Sequence, residues 1–242
     1  MAASATEVSP QVYARVGGLL YLVIIVAGVL GELFVRGTLV VSGDAAATAG
    51  RIVGSESLWR LGIAGDLVMH LCDVVVMWAL YQLLRPVSRN LALLALLFNL
   101  VQTAVLVANK LNLLVPLFLL GDAAYLEAFD TAQLQAWSYI AIKMHDYGFG
   151  IGLIFFGFTC LVEGQLIRRS RYLPGVLGVL MQIAGACYLV NSFALLLAPA
   201  LATKLFPAIL VPCFIAELAL ALWLLVKGVN VDEWNKRAAA LT

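Results

Sequence analysis

The sequence predicts an all-α membrane protein: a polytopic bundle of six transmembrane helices, with both termini cytoplasmic and a short amphipathic helix between spans one and two. Of its 242 residues, 63% are hydrophobic and 12% are charged, whereas soluble domains contain about 25% charged residues. Apolar stretches of about 20 residues, enough to cross a bilayer as a helix, recur six times. Lysine and arginine lie mainly at alternate ends of these stretches, which orients the bundle.

The first span is predicted over residues 16–35 and ends at Arg36. The residues before it contain no basic region followed by a short apolar run and a small-residue cleavage site, so we expect this span to stay in the membrane as an anchor. The Ala-rich segment 43–56 comes next, with Ser42 or Asp44 suited to cap a helix. This segment predicts a short helix lying along the membrane surface.

The other spans are predicted over residues 61–84, 91–111, 143–167, 175–197 and 205–227. An acidic connection before the fourth span contains Asp130 and Thr131, which are suited to cap a further helix. Residues 1–12 are predicted to be a flexible N-terminal segment, residues 13–230 a single six-helix transmembrane domain, and residues 231–242 a cytoplasmic tail.

Basic residues near the span ends predict the orientation. Most of them fall on one side of the bundle: Arg15, Arg85, Arg89, Arg168, Arg169, Arg171, Lys227, Lys236 and Arg237. Cytoplasmic loops carry an excess of lysine and arginine, so this side is predicted to be cytoplasmic. Arg36, Arg51 and Arg60 lie on the opposite side and run against this assignment.

The second span predicts the functional centre, because it carries Asp66, His70 and Asp73 on one helical face. An ionisable group that faces lipid costs at least ~2.5 kcal/mol, so this face is expected to point into the bundle. The depth of each polar residue, at a rise of ~1.5 Å per residue, defines two layers. The outer layer comprises Glu32, Asp66, Asn109, Asn112, Lys143, His145, Asp146 and Asn191. The middle layer comprises His70, Asp73, Asn99, Gln102, Tyr188 and Glu217.

All of these residues except Asn112, Lys143 and Tyr188 are candidate ligand-binding residues. Two interpretations stay open. Amide and hydroxyl side chains hold membrane helices together through hydrogen bonds worth ~0.6 kcal/mol on average, which would make the layers structural. Charged groups inside a membrane are more often functional, which favours a cavity that opens outward and reaches the midplane.

A metal site or an acid/base pair is suggested by the residue types of Asp66, His70, His145 and Asp146. His145 lies roughly two helical turns nearer the outside than His70, which argues against one site closed by both histidines. The four cysteines lie in apolar segments without zinc-ligand spacing, and no serine elbow or HExxH motif is present. We therefore assign no metal ligand, cofactor or catalytic residue, and no basic arm suggests nucleic acid.

Seven sequence blocks carry a resemblance: GLLYLVIIVAGVLGELFVRG, VSGDAAATA, SESLWRLGIAGDLV, CDVVV, HDYGFGIGLIFFG, RYLPGVLGVL and NSFALLLAP. They lie between Gly18 and Pro199 and resemble a bacterial family of six-span membrane proteins known only as a domain of unknown function. The resemblance covers roughly residues 13–230. The resemblance implies the six-helix fold and a multi-pass location in the inner cell membrane. It implies no activity, cofactor or site residue.

The sequence thus predicts a membrane protein whose outward-facing polar cavity binds or passes a small polar molecule or a lipid headgroup. In this interpretation Asp66, Asp73 and Glu217 are proton or cation partners, and the bilayer and the ligand are the partners of the protein. One alternative is an intramembrane enzyme that modifies a lipid, with or without a metal, using His70 or His145 as the base. Another is a membrane sensor or assembly partner that docks through the surface helix and the acidic connection.

Overall fold

The computed structural model describes residues 8–240, and within them it contains helices and turns but no strand. Its helices long and apolar enough to cross a membrane lie over Pro10–Leu39, Glu56–Leu84, Arg89–Leu119, Thr131–Ser170, Gly175–Leu197 and Ala208–Val226. These six helices confirm the predicted all-α bundle of six spans. The cytoplasmic placement of the termini remains a prediction.

The helices follow one another as α1 (Pro10–Leu30), α2 (Gly37–Leu39), α3 (Ala45–Gly54), α4 (Glu56–Leu84), α5 (Arg89–Asn109), α6 (Leu111–Leu119), α7 (Thr131–Ser170), α8 (Gly175–Leu197), α9 (Pro199–Leu205), α10 (Val211–Val226) and α11 (Val231–Ala239). A π-helical turn, Gly31–Arg36, joins α1 to α2. Single 3-10 turns cover Ala124–Ala128 and Ala208–Leu210. Asp44 caps α3 by accepting from the backbone N–H of Ala47 at 2.8 Å.

The fourth span is much longer than the sequence predicts. The cap expected at Asp130 is present, since its side chain accepts from the backbone N–H of Gln133 at 2.8 Å. The helix that begins there does not stop before the predicted span but runs on as the 40 residues of α7. Residues 131–142 contain no glycine or proline, so nothing in them breaks the helix. At ~1.5 Å per residue, α7 reaches well beyond the ~30 Å hydrocarbon core.

The other boundaries shift by smaller amounts. The third span is interrupted at Lys110, which separates α5 from α6. The first span starts at Pro10, where the Ser9 side chain accepts from the backbone N–H of Gln11 at 3.3 Å. The predicted flexible segment covers residues 1–12, of which residues 1–7 lie outside the described part of the chain.

Close packing of α7 on α8 depends on two pairs of facing glycines. A Cβ atom on Gly164 would lie 2.5 Å from the carbonyl oxygen of Gly178, and one on Gly185 would lie 2.6 Å from the carbonyl oxygen of Gly157. Glycines let the backbones of membrane helices approach closely. On the other side of the bundle, α1 packs against both α4 and α10, while α5 packs against α7.

The C-terminal helix α11 is attached to the end of the bundle predicted to be cytoplasmic. The Trp234 indole donates to the carbonyl oxygen of Leu83 at 3.0 Å, and the Tyr172 hydroxyl donates to the same oxygen at 2.7 Å. Burial raises the pKa of Tyr172 above its ordinary value, so its hydroxyl keeps the donating proton. Trp234 packs into the main apolar core, and the predicted tail therefore contributes to the bundle.

Candidate functional site

A buried carboxylate forms the centre of the polar site. Asp66 is 1% exposed, and its Oδ2 atom accepts from Arg36 Nη1 and from Lys110 Nζ, each at 2.8 Å. Arg36 also donates to Glu32 at 2.8 Å. We call Glu32, Arg36, Asp66, Lys110 and His145 the outer polar cluster. A charge removed from water requires such compensation, so the cluster holds four spans in one arrangement.

Local backbone features bring these side chains together. The π-helical turn carries Glu32 and Arg36 four residues apart, so that both point to one side. Just before them, a Cβ atom on Gly31 would lie 3.0 Å from Asp66 Oδ1 and 3.1 Å from Arg36 Nη2. Lys110 sits at the break between α5 and α6. These features let a lysine and an arginine from different spans reach the same carboxylate.

Both histidines are buried and each has a ring nitrogen without a partner in the described part of the chain. Lys110 Nζ lies 3.3 Å from His145 Nε2, and an ammonium can only donate, so Nε2 accepts and the proton of a neutral ring lies on Nδ1. His145 Nδ1 has no hydrogen-bond partner and is 4.0 Å from Asp146. His70 Nε2 is also buried without a partner. No hydrogen bond joins the two described imidazoles.

The middle layer divides into two groups. On the seam between α4 and α5, Asp73 accepts from Asn99 Nδ2 at 3.4 Å and from the Thr103 hydroxyl at 2.5 Å. Asn99 also donates to Gln102 at 3.0 Å. These bonds connect two spans through an acid that forms no salt bridge with a described residue.

Glu217 belongs to the second group of the middle layer. It accepts from the hydroxyl of Tyr21 on α1 at 3.1 Å and from the hydroxyl of Tyr188 on α8. Like Asp73, it forms no salt bridge within residues 8–240. The group connects three spans by hydrogen bonds to one carboxyl.

Most residues of the two predicted layers lie in or beside three contact groups, but some lie outside them. Asn109 lies beside the outer polar cluster and donates to the carbonyl oxygen of His145 at 2.9 Å. Asp146 pairs instead with Lys143 at 3.1 Å, where both side chains are half exposed. The side chain of Asn191 is partly buried and forms no hydrogen bond with another described residue, and His70 Nε2 likewise has no described partner.

Sequence reasoning missed several members of these groups. Arg36 was interpreted as the end of a span, although its spacing of four from Glu32 is the signal for an ion pair. Glu163, 3% exposed on α7, was overlooked despite being an acid within an apolar stretch. Tyr21 and Thr103 have no signal that distinguishes them from other core residues.

An open groove of about 490 Å³ lies between α7 and the end of the third span. Its polar lining includes Asn109, Asn112 and Lys143, and its apolar lining includes Ile140 and Met144. Asn112 Nδ2 donates to Asn109 Oδ1 at 2.9 Å. Because Asn109 in turn bonds the backbone of the outer polar cluster, hydrogen bonds connect the groove to that cluster.

The described residues do not form a donor set for a metal ion. Among residues 8–240, no group of three or more His, Cys, Asp and Glu side chains is placed to hold a metal ion.

Comparison with known proteins identifies a family. Residues 16–228 match the model of the family described as "Domain of unknown function (DUF4386)". A protein of Archaeoglobus fulgidus named "Uncharacterized protein" is 29% identical over 176 residues, which are 71% of this chain and 86% of that protein. No solved structure matches the chain.

Proposed function

The chain belongs to the domain of unknown function family DUF4386, and we propose that this multi-pass membrane protein binds the polar headgroup of a lipid in the groove beside its outer polar cluster. The observation that carries the proposal is the combination of polar and apolar walls in one open groove. Asn109, Asn112 and Lys143 offer hydrogen-bond donors, while Ile140 and Met144 offer an apolar surface. Binding sites typically combine apolar walls with a few placed polar groups.

A lipid fits the position of the groove better than a water-soluble molecule does. Ile140 and Met144 are each more than half exposed on the flank of α7, where an acyl chain would run. Lys143 is 47% exposed, so it can reach a phosphate while its partner Asp146 stays within reach. An ammonium binds phosphate as a point charge, and the two amides add directed contacts.

The outer polar cluster supports the groove rather than forming its floor. The two ion pairs that Asp66 forms with Arg36 and Lys110 are almost closed to solvent, and Asn109 connects the cluster to the groove wall. A site is more precise when the residues behind it fix its orientation. We place the groove on the outward side of an inner cell membrane, in keeping with the predicted orientation of the bundle.

Binding of a spin-labelled phosphatidic acid to the protein in phosphatidylcholine nanodiscs tests the proposal. The variants Asn112→Leu and Lys143→Leu are expected to weaken binding about tenfold each, since a hydrogen bond to a charged group contributes ~1.5–3 kcal/mol. The matched control is Arg60→Leu, because Arg60 is also an exposed cation paired with an acid on its own helix. Equal binding by all three variants and the original protein would contradict the proposal.

Competition separates a lipid from a free polar molecule. Excess soluble glycerol phosphate should displace the spin-labelled lipid weakly if the acyl chain contributes to binding. Complete displacement at similar concentration would show that the groove recognises the free phosphate compound instead.

One observation favours a second candidate, an intramembrane enzyme acting on a lipid. The unpartnered Nδ1 of His145 and Nε2 of His70 are the kind of groups that exchange protons in acid/base catalysis. Lipid turnover in reconstituted vesicles, compared with that of His70→Gln and His145→Gln, tests this candidate. Turnover retained by both variants, or none by the original protein, would eliminate it.

A further inference from the structure

Glu163, an acid in the middle of α7, takes no part in the proposed lipid-binding groove. Glu163 is 3% exposed, and its carboxyl group forms no hydrogen bond or salt bridge with any other described residue. It lines a narrow cleft between α4, α5 and α7 that has no room for a water molecule, together with Met77, Leu80 and Ala95. A carboxyl side chain directed into an apolar cleft loses its hydration and gains nothing in exchange.

A second acid lies on the same seam. Asp73 is one helical turn before Met77 on α4, and its partner Asn99 is one turn after Ala95 on α5. The hydrogen bond from Asn99 to Asp73 therefore closes the seam directly beyond the cleft that Glu163 lines. Asp73 and Glu217 are the ionisable groups that act electrostatically on Glu163.

None of these acids is compensated by a cation. The salt bridges in the described part of the chain involve Glu32, Asp66, Glu56, Asp146 and Glu233, and none involves Asp73, Glu163 or Glu217. The other polar side chains nearby carry no positive charge: Tyr21 on α1, Tyr81 on α4, Asn99 and Thr103 on α5, Cys160 on α7 and Tyr188 on α8. The electrostatic situation is therefore opposite to that of Asp66, which contacts two cations.

We propose that Glu163 and Asp73 form an intramembrane proton-binding site. A charged side chain within the membrane costs at least ~2.5 kcal/mol, and neighbouring carboxylates add mutual repulsion. Binding a proton to Glu163 removes both costs by converting its carboxylate to a carboxylic acid. A metal cation would need space for itself and for several oxygen ligands around it, and the cleft that Glu163 lines has no room even for a water molecule.

Infrared difference spectroscopy of the protein in phosphatidylcholine bilayers, recorded against pH, tests the site. We expect a carboxylic acid C=O band that persists at neutral pH in the original protein and is lost in Glu163→Gln. The matched control is Glu56→Gln on α4, an exposed acid paired with Arg60, which should leave that band unchanged. Glutamine has the size of the protonated acid, so Glu163→Gln is expected to stay folded.

Asp73→Asn provides an independent variant. Removing the neighbouring acid should shift the band of Glu163 and the pH at which it disappears, because the electrostatic coupling is lost. A Glu163→Gln spectrum that lacks only an ionised carboxylate band would overturn the proposal. Loss of the acid band on adding sodium chloride at constant pH would also overturn it, because a metal cation would then be the ligand.

Discussion

The carboxylate of Asp66 lies between two cations that come from two other spans. Arg36 and Lys110 each approach it at 2.8 Å, and the carboxylate is 1% exposed. Such a network contributes little net stability compared with apolar packing, but it is costly to break because a charge is left without a partner. The outer polar cluster therefore specifies which spans meet at this depth.

Breaking the network should destabilise the protein unequally. Asp66→Leu leaves the buried Lys110 without an acid and Arg36 with only the exposed Glu32, whereas Lys110→Met leaves Asp66 paired with Arg36. Removing one side of a buried pair costs ~3–5 kcal/mol, so we expect that loss for Asp66→Leu and a smaller one for Lys110→Met. Denaturant unfolding in detergent micelles measures both.

The exposed pair of Arg60 and Glu56, 2.6 Å apart, provides the control. Arg60→Met should change the free energy of unfolding by only ~0–1 kcal/mol. Equal losses for Arg60→Met and Asp66→Leu would show that the network is not sequestered from solvent.

The inward face of the second span could be predicted from the spacing of Asp66, His70 and Asp73, but their partners could not. Asp73 and Asn99 were placed at one depth on consecutive spans, in keeping with their hydrogen bond. Tyr188 and Glu217 also share a predicted depth, in keeping with their hydrogen bond, whereas Tyr21 could not be predicted as a partner of Glu217. Spacing along a helix defines its face and not the neighbour on that face.

The glycines of α7 and α8 control how near two helices lie. Gly157 faces Gly185, and Gly164, seven residues further along α7, faces Gly178, seven residues earlier on α8. The repeat of seven keeps both contacts on one face of each helix. The pairing thus acts over two turns rather than at one crossing point.

Adding one methyl group to this contact should separate the helices. Gly164→Ala places a Cβ atom 2.5 Å from a backbone oxygen that cannot rotate away, and overpacking of this kind costs ~1–3 kcal/mol. Gly65→Ala on α4 is the control, because nothing lies within 4 Å of the new atom. It should stabilise by up to ~1 kcal/mol through helix propensity. One thermal unfolding experiment compares the stabilities of the two variants. An unchanged stability of Gly164→Ala would contradict the close contact.

At the scale of elements, the number and type of the spans could be predicted and some boundaries could not. Long apolar runs identify spans wherever they occur. The N-terminal third of α7 carries polar residues, which predict a connection between spans. In the structure this segment continues the helix without a break. The neighbours of α1 were also unpredictable, since lipid-facing and buried sides of a membrane helix have similar composition.

At the scale of the whole molecule, the arginines that run against the predicted orientation are bound locally. Arg36 pairs with Glu32 and Asp66, Arg60 pairs with Glu56, and Arg51 donates to the carbonyl oxygen of Thr38 at 2.8 Å. The charges of Arg36 and Arg60 are compensated by acids, and Arg51 is held by a hydrogen bond to the backbone. The basic residues at the opposite end of the bundle therefore still predict that this end is cytoplasmic.

Cysteine labelling in intact cells should confirm this orientation. Asp122→Cys, in the acidic connection, should react with a membrane-impermeant maleimide, whereas Asn90→Cys should react only after lysis. Both positions are exposed. The native cysteines lie within the spans, and the labelling of the original protein gives the background signal. The reverse pattern would show that the bundle is inverted.

The attachment of α11 should also be measurable. Trp234→Phe keeps an aromatic ring but loses the bond to Leu83, which should cost ~0.5–1.5 kcal/mol and increase proteolysis after Gly228. Trp137→Phe changes a tryptophan that is 41% exposed and should have little effect. Equal protease resistance of the two variants would show that α11 is not held by this bond.

The π-helical turn at the end of the first span gives this segment one residue that the outer polar cluster does not need. A π-helical turn contains one residue more than an α-helical turn. Deleting Leu33, which is exposed, would convert the turn to an α-helical one and leave the following residues in their present orientation. Arg36 would then stay beside Asp66, whereas the same deletion in an ordinary α-helix would rotate the following residues by about 100°. In genetic terms, the pairing therefore tolerates the loss of a single codon at this point of the chain.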